Sequence, residues 1–418
     1  MCKIIWEGKI TKFPQITWHI PWGMQYYLCG FKEEAVKLII KKLEKYESGK
    51  YVKMNDYKAF IPSKINYTWV WDDTKLNKLL SDANIQIGEL NAYSSLIPNI
   101  DLYIKMHVKI EANKSSAIEG TRTTVEEDLL DISDINPEKR DDWQEVQNYV
   151  KATNYGVKKI NEGFPVCVRL IKELHKILLT GVRGEHKMPG EFRTSQNWIG
   201  GSMPSRAAYV PPPHMEVAEC LSDFEKFIND EKNDTPDLIR IAILHYQFES
   251  IHPFLDGNGR IGRLLIPLYL QSKRILDKSC LYISDYIEKN KEDYYYALNR
   301  VRTHNDMILW IKFFLEAIIE TAKTAKNKFK NVVDFTKQID KEIMNLSVKA
   351  ENAKKILDLL YNEPIITRSK ISKNTGLISS TTNNIINAFL ENGILKEITG
   401  YSRNQVFAFN RYIDLFLK

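Results

Sequence analysis

The stretch His252 to Arg263, His-Pro-Phe-Leu-Asp-Gly-Asn-Gly-Arg-Ile-Gly-Arg, constrains this chain more than any other part of it. Its two glycines predict a tight turn with positive φ, and the residues that follow predict the start of a helix. The amides of Gly257 to Gly259, with the positive end of that helix, form a cradle for a phosphate. Arg260 and Arg263, three apart, share one helix face and extend the same anion site. Asp256, beside so much positive charge, is expected to be ionised and is a hard oxygen ligand suited to Mg²⁺. His252 is suited to taking a proton from an attacking hydroxyl near neutral pH. A lone histidine beside a proline, or a lone Asp-Gly-Asn-Gly, is ordinarily structural. A run that combines base, metal ligand, amide cradle and two arginines points to phosphate chemistry.

These residues resemble the Fic family signature, His-x-Phe-x-Asp/Glu-Gly-Asn-Gly-Arg-x-x-Arg, at every fixed position. The resemblance implies transfer of AMP from ATP, with Mg²⁺, onto a hydroxyl of a target protein. A kinase-like branch of the family has lysine where this chain has Gly259, so the departure points to AMP transfer rather than phosphoryl transfer. Implied roles follow position by position. His252 is the base and Asp256 the metal ligand. Asn258 and the amides of Gly257 and Gly259 stabilise charge on the phosphates, and Arg260 and Arg263 bind the outer ones.

A second stretch, Ser115-Ser-Ala-Ile-Glu119-Gly120, reads as a helix ending at Gly120 with Glu119 in its last turn. A carboxylate has the wrong sign for that end of a helix dipole, which suggests a cationic partner elsewhere. The run matches the family's inhibitory motif, Ser/Thr-x-x-x-Glu-Gly/Asn, placed N-terminal to the core. By resemblance, Glu119 pairs with Arg263, takes the arginine needed for the γ-phosphate and leaves ATP misaligned.

The rest of the core supports a mainly α-helical fold. Helical periodicity runs over Val166 to Thr180, Ala218 to Asn229 and Asp237 to Ser250. Asn197 to Gly201 and Ala207 to Pro213 read as two short strands around a loop, corresponding to the family's β-hairpin flap. There the family docks an extended segment of the target, which is edge-strand addition. Gln247, five residues before His252, is a candidate to line the nucleotide pocket or a buried structural glutamine. Tyr295 and Asn290 are candidates for the wall and amide partner of an adenine, with packing as the alternative.

Domain organisation follows from length and pattern. The 418 residues suggest two to three domains, and 44% hydrophobic with 11% aromatic residues is ordinary for globular cores. Residues 1–135 form an N-terminal helical region carrying the inhibitory motif, 136–330 the Fic core, 331–349 a lysine-rich linker and 350–418 a winged helix. Within the first, aromatic residues Trp18, Trp22, Tyr26 and Tyr27 precede a helix expected from Glu33 to Tyr46, and Asp72 to Asp131 is helical with a break at Pro98. The helix beginning at Met307 closes the core at about Lys330. The winged helix is read from helices at Ala353 to Tyr361, Arg368 to Asn374 and Ser379 to Asn392, followed by a hairpin.

Charge leaves partners open. The formal net charge of +6 is spread along the chain. The candidate recognition helix starts Ser-Ser-Thr-Thr-Asn-Asn without a lysine or arginine, and residues 350–418 carry nine basic against six acidic side chains. DNA binding and a protein-interaction or homodimer role are both open. Five cysteines, odd in number and without a Cys-x-x-Cys pair, predict reduced thiols, no zinc and a cytoplasmic setting. No apolar run is long enough for a membrane span. The activity expected is AMP transfer to Ser, Thr or Tyr hydroxyls of a target or of the chain itself. Alternatives are removal of AMP from a target, and a winged-helix regulator whose core senses a nucleotide.

Overall fold

The structure is a computed structural model and describes residues 40–97, 100–400 and 405–417. Its first elements are β1 (Ile40–Lys42), the hairpin β2 (Gly49–Lys53) and β3 (Lys58–Pro62), and β4 (Thr68–Val70). β1 pairs in parallel with β4, and β2 antiparallel with β3 around a turn closed by the Met54 amide on the Tyr57 carbonyl at 2.9 Å. The helix expected from Glu33 to Tyr46 is therefore not present where it is described. Residues 40–42 are strand and 43–45 a 3₁₀ turn, because pairing with β4 outweighs the helical spacing of Ile40 and Leu43. The rest of that expectation, and the four N-terminal aromatics, lie outside the described residues.

Helices dominate from there. α1 (Thr74–Leu96) begins where the Asp73 carboxylate caps the Leu76 amide at 2.7 Å. α2 (Ile100–Ile118) ends one residue before Glu119, with Gly120 at φ +102, and α3 (Val125–Asp128) starts from a capping box of Thr124 and Glu127. α4 (Arg140–Asn161), α5 (Val168–Leu179) and α6 (Val217–Asn229) surround a central pair, α7 (Asp237–Ile251) and α8 (Asn258–Ser272). Every residue of α7 from Leu238 to Ile251 is buried, as a helix enclosed by neighbours requires. Residues 252–257 join these two central helices, so the ends of this loop are fixed by the core.

α9 (Ser284–Lys289) and α10 (Lys291–His304) lead into α11 (Met307–Met344), whose Trp310 donates its indole N–H to the Ala242 carbonyl of α7 at 2.8 Å. α11 runs through most of the expected linker. Val332, Phe335, Ile339 and Ile343 form a buried stripe at helical spacing, so residues 331–344 continue the helix.

The winged helix comprises α12 (Ala350–Asn362), β5 (Ile365–Thr367), α13 (Arg368–Thr375), α14 (Ser379–Glu391), β6 (Lys396–Glu397), β7 (Val406–Ala408) and α15 (Asn410–Leu417). The three expected helices and the hairpin are present. β5, which pairs with β7, and the closing helix α15 were not foreseen. This domain packs on the rest of the chain through Tyr361 and Tyr412, whose rings lie 6.1 and 6.5 Å from that of Tyr103 on α2. Phe335 of α11 meets Phe409 at 5.6 Å. No helix among the described residues is long and apolar enough to cross a membrane.

Lys337 is exposed on α11. Lys337→Pro is expected to lower stability by about 3 kcal/mol in urea unfolding, the cost of a proline inside a helix, where a flexible linker would tolerate it without change.

Candidate active site

His252 ends α7 in the left-handed region, at φ 48, with its amide donating to the Phe248 carbonyl at 2.9 Å. A side chain there is strained, and neighbours hold it. Arg193, 2% exposed, donates through Nε to the His252 carbonyl at 2.9 Å and through Nη2 to the Pro212 carbonyl at 2.5 Å, while its backbone amide reaches the Pro253 carbonyl at 3.0 Å. Asn197 adds a bond to the Phe254 carbonyl at 2.9 Å. Arg193 and Asn197 thus tie the 190s segment to the loop. Neither was singled out from sequence.

The loop closes on itself. Asn258 accepts from the Phe254 amide at 2.8 Å and donates to the Phe254 carbonyl at 2.9 Å. Its buried side chain thus shapes the loop in this structure. Gly257 has φ +74 and precedes α8, while Gly259 lies inside the first turn of α8 without positive φ. Only one of the two glycines therefore serves the turn. A side chain at Gly259 would collide with the Glu119 carboxylate and approach Arg263 Nη1 to 2.9 Å, so this glycine makes room for Glu119. His175 lies beneath the loop, stacked on Phe254 at 3.7 Å. Its Nδ1 accepts from the Gly190 amide at 2.8 Å, so Nε2 carries the proton and donates to the Asp256 carbonyl at 3.0 Å.

Charges are arranged in pairs. Arg263, 2% exposed, donates through Nε to Ser115 Oγ at 2.9 Å, and through Nη2 to the Ser115 carbonyl at 2.9 Å and Glu119 Oε1 at 2.7 Å. The structure thus brings together the two sequence motifs, 144 residues apart. Burial works against the Glu119 carboxylate, yet Arg263 holds its pKa below the usual value. Arg260 Nη1 donates to Glu145 Oε2 at 3.0 Å and its Nη2 lies 3.6 Å from Asp256 Oδ1. Both arginines are therefore engaged by carboxylates here. Asp256 accepts the Gly257 amide through Oδ1 at 2.6 Å. Burial pushes the His252 imidazole down to about 4 against the opposing pull of Glu119, so the ring is neutral at neutral pH. Its Nδ1 is buried with no hydrogen-bond partner among the described residues.

Three expected nucleotide contacts fare differently. Gln247 donates to the Ser63 carbonyl at 3.0 Å and lines a cavity beside β3 and α6. Glu249, two residues on, is the α7 carboxylate on the site side. Burial raises its pKa to about 7, Arg263 opposes that, and a side chain at Gly262 would meet its carboxylate. Helical phase does not distinguish 247 from 249 in a helix buried all round. Asn290 donates its amide to the Tyr286 carbonyl at 2.8 Å, which caps its own helix. Tyr295 is 46% exposed, edge-on to Tyr294 at 5.2 Å and within the field of Glu119 and Arg263. The expected flap strands are reduced to a single bridge, Ile199 with Tyr209, exchanging bonds of 2.8 and 3.1 Å. Positive φ at Gly200 and Gly201, a 3₁₀ turn at Pro204–Arg206 and three successive prolines from Pro211 limit the pairing.

Comparison with known proteins agrees with this arrangement. Residues 77–158 match the Fic/DOC family N-terminal model, 165–270 the Fic/DOC family model and 350–396 a winged helix-turn-helix DNA-binding model. Protein adenylyltransferase Fic of Drosophila yakuba is 27% identical over 220 residues, 52% of this chain and 40% of that protein. The Drosophila melanogaster protein of the same name is 26% identical over the same length and shares. The match thus spans well under half the length of these curated relatives. A Fic family protein from Desulfovibrio desulfuricans G20 has the same fold, with TM-score 0.51 and 20% identity over 83% of this chain and 98% of that one.

Arg193→Leu leaves several carbonyls without a donor and is expected to cost about 3 kcal/mol in urea unfolding, whereas Arg206→Leu on the exposed flap should stay within about 0.5 kcal/mol. NMR titration of His252 in the intact chain should give a midpoint near about 4. Because Glu119 favours the imidazolium, Glu119→Gly should lower that midpoint further; a value at or above 6.5 would contradict the burial of the ring.

Proposed function

From a chain that carries a Fic/DOC N-terminal region, a Fic/DOC domain and a winged helix, we propose a protein adenylyltransferase restrained by its own Glu119. It moves AMP from ATP to a serine, threonine or tyrosine hydroxyl of a target, the chain itself included. The observation that carries this reading is the Glu119 carboxylate on Arg263 above Gly259, at the first turn of α8. An acidic group there occupies the end of a helix built to receive anionic oxygens.

With Glu119 displaced, the triphosphate takes the amides of Asn258 and Gly259 at the start of α8 and the freed guanidinium of Arg263. Arg260, steadied by Glu145, stands beside it. The neutral His252 accepts the proton of the target hydroxyl as its oxygen bonds to the α-phosphorus. The bond from that phosphorus to the bridging oxygen of the β-phosphate breaks, and pyrophosphate leaves. Donors already fixed by α7 and α8 stabilise charge on the phosphates without reorganising. Asp256 fits Mg²⁺: its carboxylate is partly exposed, commits one oxygen to Gly257, and belongs to no protein-only metal cluster among the described residues, so phosphate oxygens would complete the coordination. The ion supplies neutralisation of phosphate charge when bound. Tyr295 offers the aromatic wall for adenine. The target lies along the flap as an extended segment, taking the edge that the single Ile199–Tyr209 bridge leaves.

The winged helix serves this enzyme as a protein-contact module. In support, Arg368 holds Asn383 at 3.2 Å and Asn387 at 3.3 Å on α14, and Lys370 pairs with Glu363 at 2.9 Å, so two of its cations face protein groups instead of phosphates.

The test uses ATP labelled at the α- or the γ-phosphate with Mg²⁺. Glu119→Gly is expected to raise transfer of α-label to protein by at least about tenfold over wild type, and His252→Ala in that background to reduce it by a factor of about 10³ or more. Transfer of γ-label would make the protein a kinase, and equal rates for wild type and Glu119→Gly would remove the inhibitory role of Glu119.

A further inference from the structure

A cavity of about 450 Å³ lies between the β2–β3 hairpin, α6 and α7, apart from the groups assigned to AMP transfer. Gln247 of α7 lines it, 1% exposed. Its Nε2 donates to the Ser63 carbonyl, also in the wall, at 3.0 Å, and its Oε1 has no hydrogen-bond partner among the described residues. A buried amide oxygen left unpaired is unfavourable, so this wall asks for a hydrogen-bond donor.

The charge around it favours a cation. Glu47, Glu216, Glu219 and Asp223 line the cavity, against Lys50 and Lys64. Lys64 already lies 3.0 Å from Glu219. Asp223 accepts the Ile65 amide through Oδ2 at 2.6 Å, which fixes its carboxylate at the wall. The Cys220 thiol, also in the wall, is pushed up to about 12 by burial and by Glu216, Glu219 and Asp223, which reflects the same negative field. No group of three acidic, histidine or cysteine side chains among the described residues is arranged to hold a metal ion, so the fit is to an organic cation.

The position ties the cavity to the flap. Phe60 of β3 donates its amide to the Val210 carbonyl at 2.9 Å, and its ring lies 6.1 Å from that of Tyr209. Glu216 ends the short turn that follows the flap. Recognition along a strand edge reads backbone, and pockets beside it supply side-chain choice. We propose that this cavity receives a lysine or arginine side chain from the target segment docked along the flap, with Gln247 Oε1 and the carboxylates of Glu216, Glu219 and Asp223 accepting its N–H groups. The inference rests on the proposed docking of the target at the flap, and it sets a fixed spacing between the modified hydroxyl and a basic residue.

The experiment is an array of extended peptides of about ten residues, each with one serine, in which lysine, arginine or the neutral norleucine is stepped through the flanking positions. It is probed with the full chain in the absence of ATP. Wild type is expected to bind peptides with lysine or arginine at one spacing at least about tenfold more tightly than their norleucine counterparts. Glu216→Lys combined with Glu219→Lys, at a half-buried and an exposed position, should abolish that contrast without moving the thermal melt. Gln247→Leu, checked by the same melt, should reduce it. An identical contrast in wild type and the charge-reversed chain, or none in wild type, overturns the assignment. Spermidine is titrated in parallel as a free cation. If it binds about a hundredfold more tightly than the best peptide, and the charge reversal abolishes that binding, the cavity belongs to a free polyamine and the target assignment falls. Because no ATP is present, a chain that shows the peptide contrast but transfers no AMP would separate a failure of the enzymatic reading from a failure of this one.

Discussion

Arg263 places a full positive charge where water barely reaches, and the site is arranged around making that tolerable. Three acceptors meet it, all from the end of α2: the Ser115 hydroxyl, the Ser115 carbonyl and the Glu119 carboxylate. Removing one partner of a buried ion pair leaves an uncompensated charge, a cost of about 3 to 5 kcal/mol in general. The two Ser115 bonds keep Arg263 partly solvated when Glu119 departs. Glu119 itself is 36% exposed, in contrast to its partner. The more accessible member of the pair is therefore the carboxylate, and under the proposed inhibition a phosphate oxygen would take its place without unburying the arginine.

The same principle extends outward. Arg260 is held by Glu145, which also lies 3.1 Å from Arg183, and Arg183 reaches Asp142 at 2.5 Å. Charged groups are thus chained from α8 through α4 to the surface. On the other side the left-handed turn at His252 is fastened by the guanidinium of Arg193, which also holds Pro212 at the end of the flap. One buried side chain therefore couples the position of His252, the proposed base, to the segment proposed to present the target hydroxyl. Proximity catalysis depends on such coupling, since a displacement of about 1 Å can cost about a hundredfold in rate.

What the sequence made legible is what it encodes locally. The loop from His252 to Arg263 is contiguous, so its turn, helix start and charges read directly. Glu119 showed itself as a carboxylate at the wrong end of a helix, and the structure supplies the cation that this implied. Other features depend on partners distant in sequence. Arg193 and Asn197 lie on irregular backbone, where no periodicity tells which way a side chain points. The use of Asn258 in closing its own loop is indistinguishable in sequence from its use toward a ligand. In α7, buried on every side, no polar face sets the phase, so the sequence leaves Gln247 open between nucleotide pocket and structural packing and gives no signal for Glu249. The stripe Val332, Phe335, Ile339 and Ile343 was present in the sequence but masked by intervening lysines, and a helix was read as a linker.

That continuous helix changes how the winged helix bears on the site. α11 carries the core at one end and Phe335, packed on Phe409, near the other. The winged helix also rests on α2 through Tyr103, and Lys105 of α2 reaches Asn362 of α12 at 2.8 Å. α2 is therefore held along its first half by the winged helix and at its end by Arg263. The Lys291 ammonium adds a bond of 3.0 Å to the Ile118 carbonyl at the last turn. A helix anchored at both ends does not slide readily, because sliding would break aromatic packing and a buried ion pair together. Release of Glu119 then comes most cheaply from the last turn, past Ile118, where Gly120 at φ +102 already departs from helical geometry. The proposed restraint on the site is in this way local to Glu119, while the packing that keeps α2 in register is shared with the winged helix.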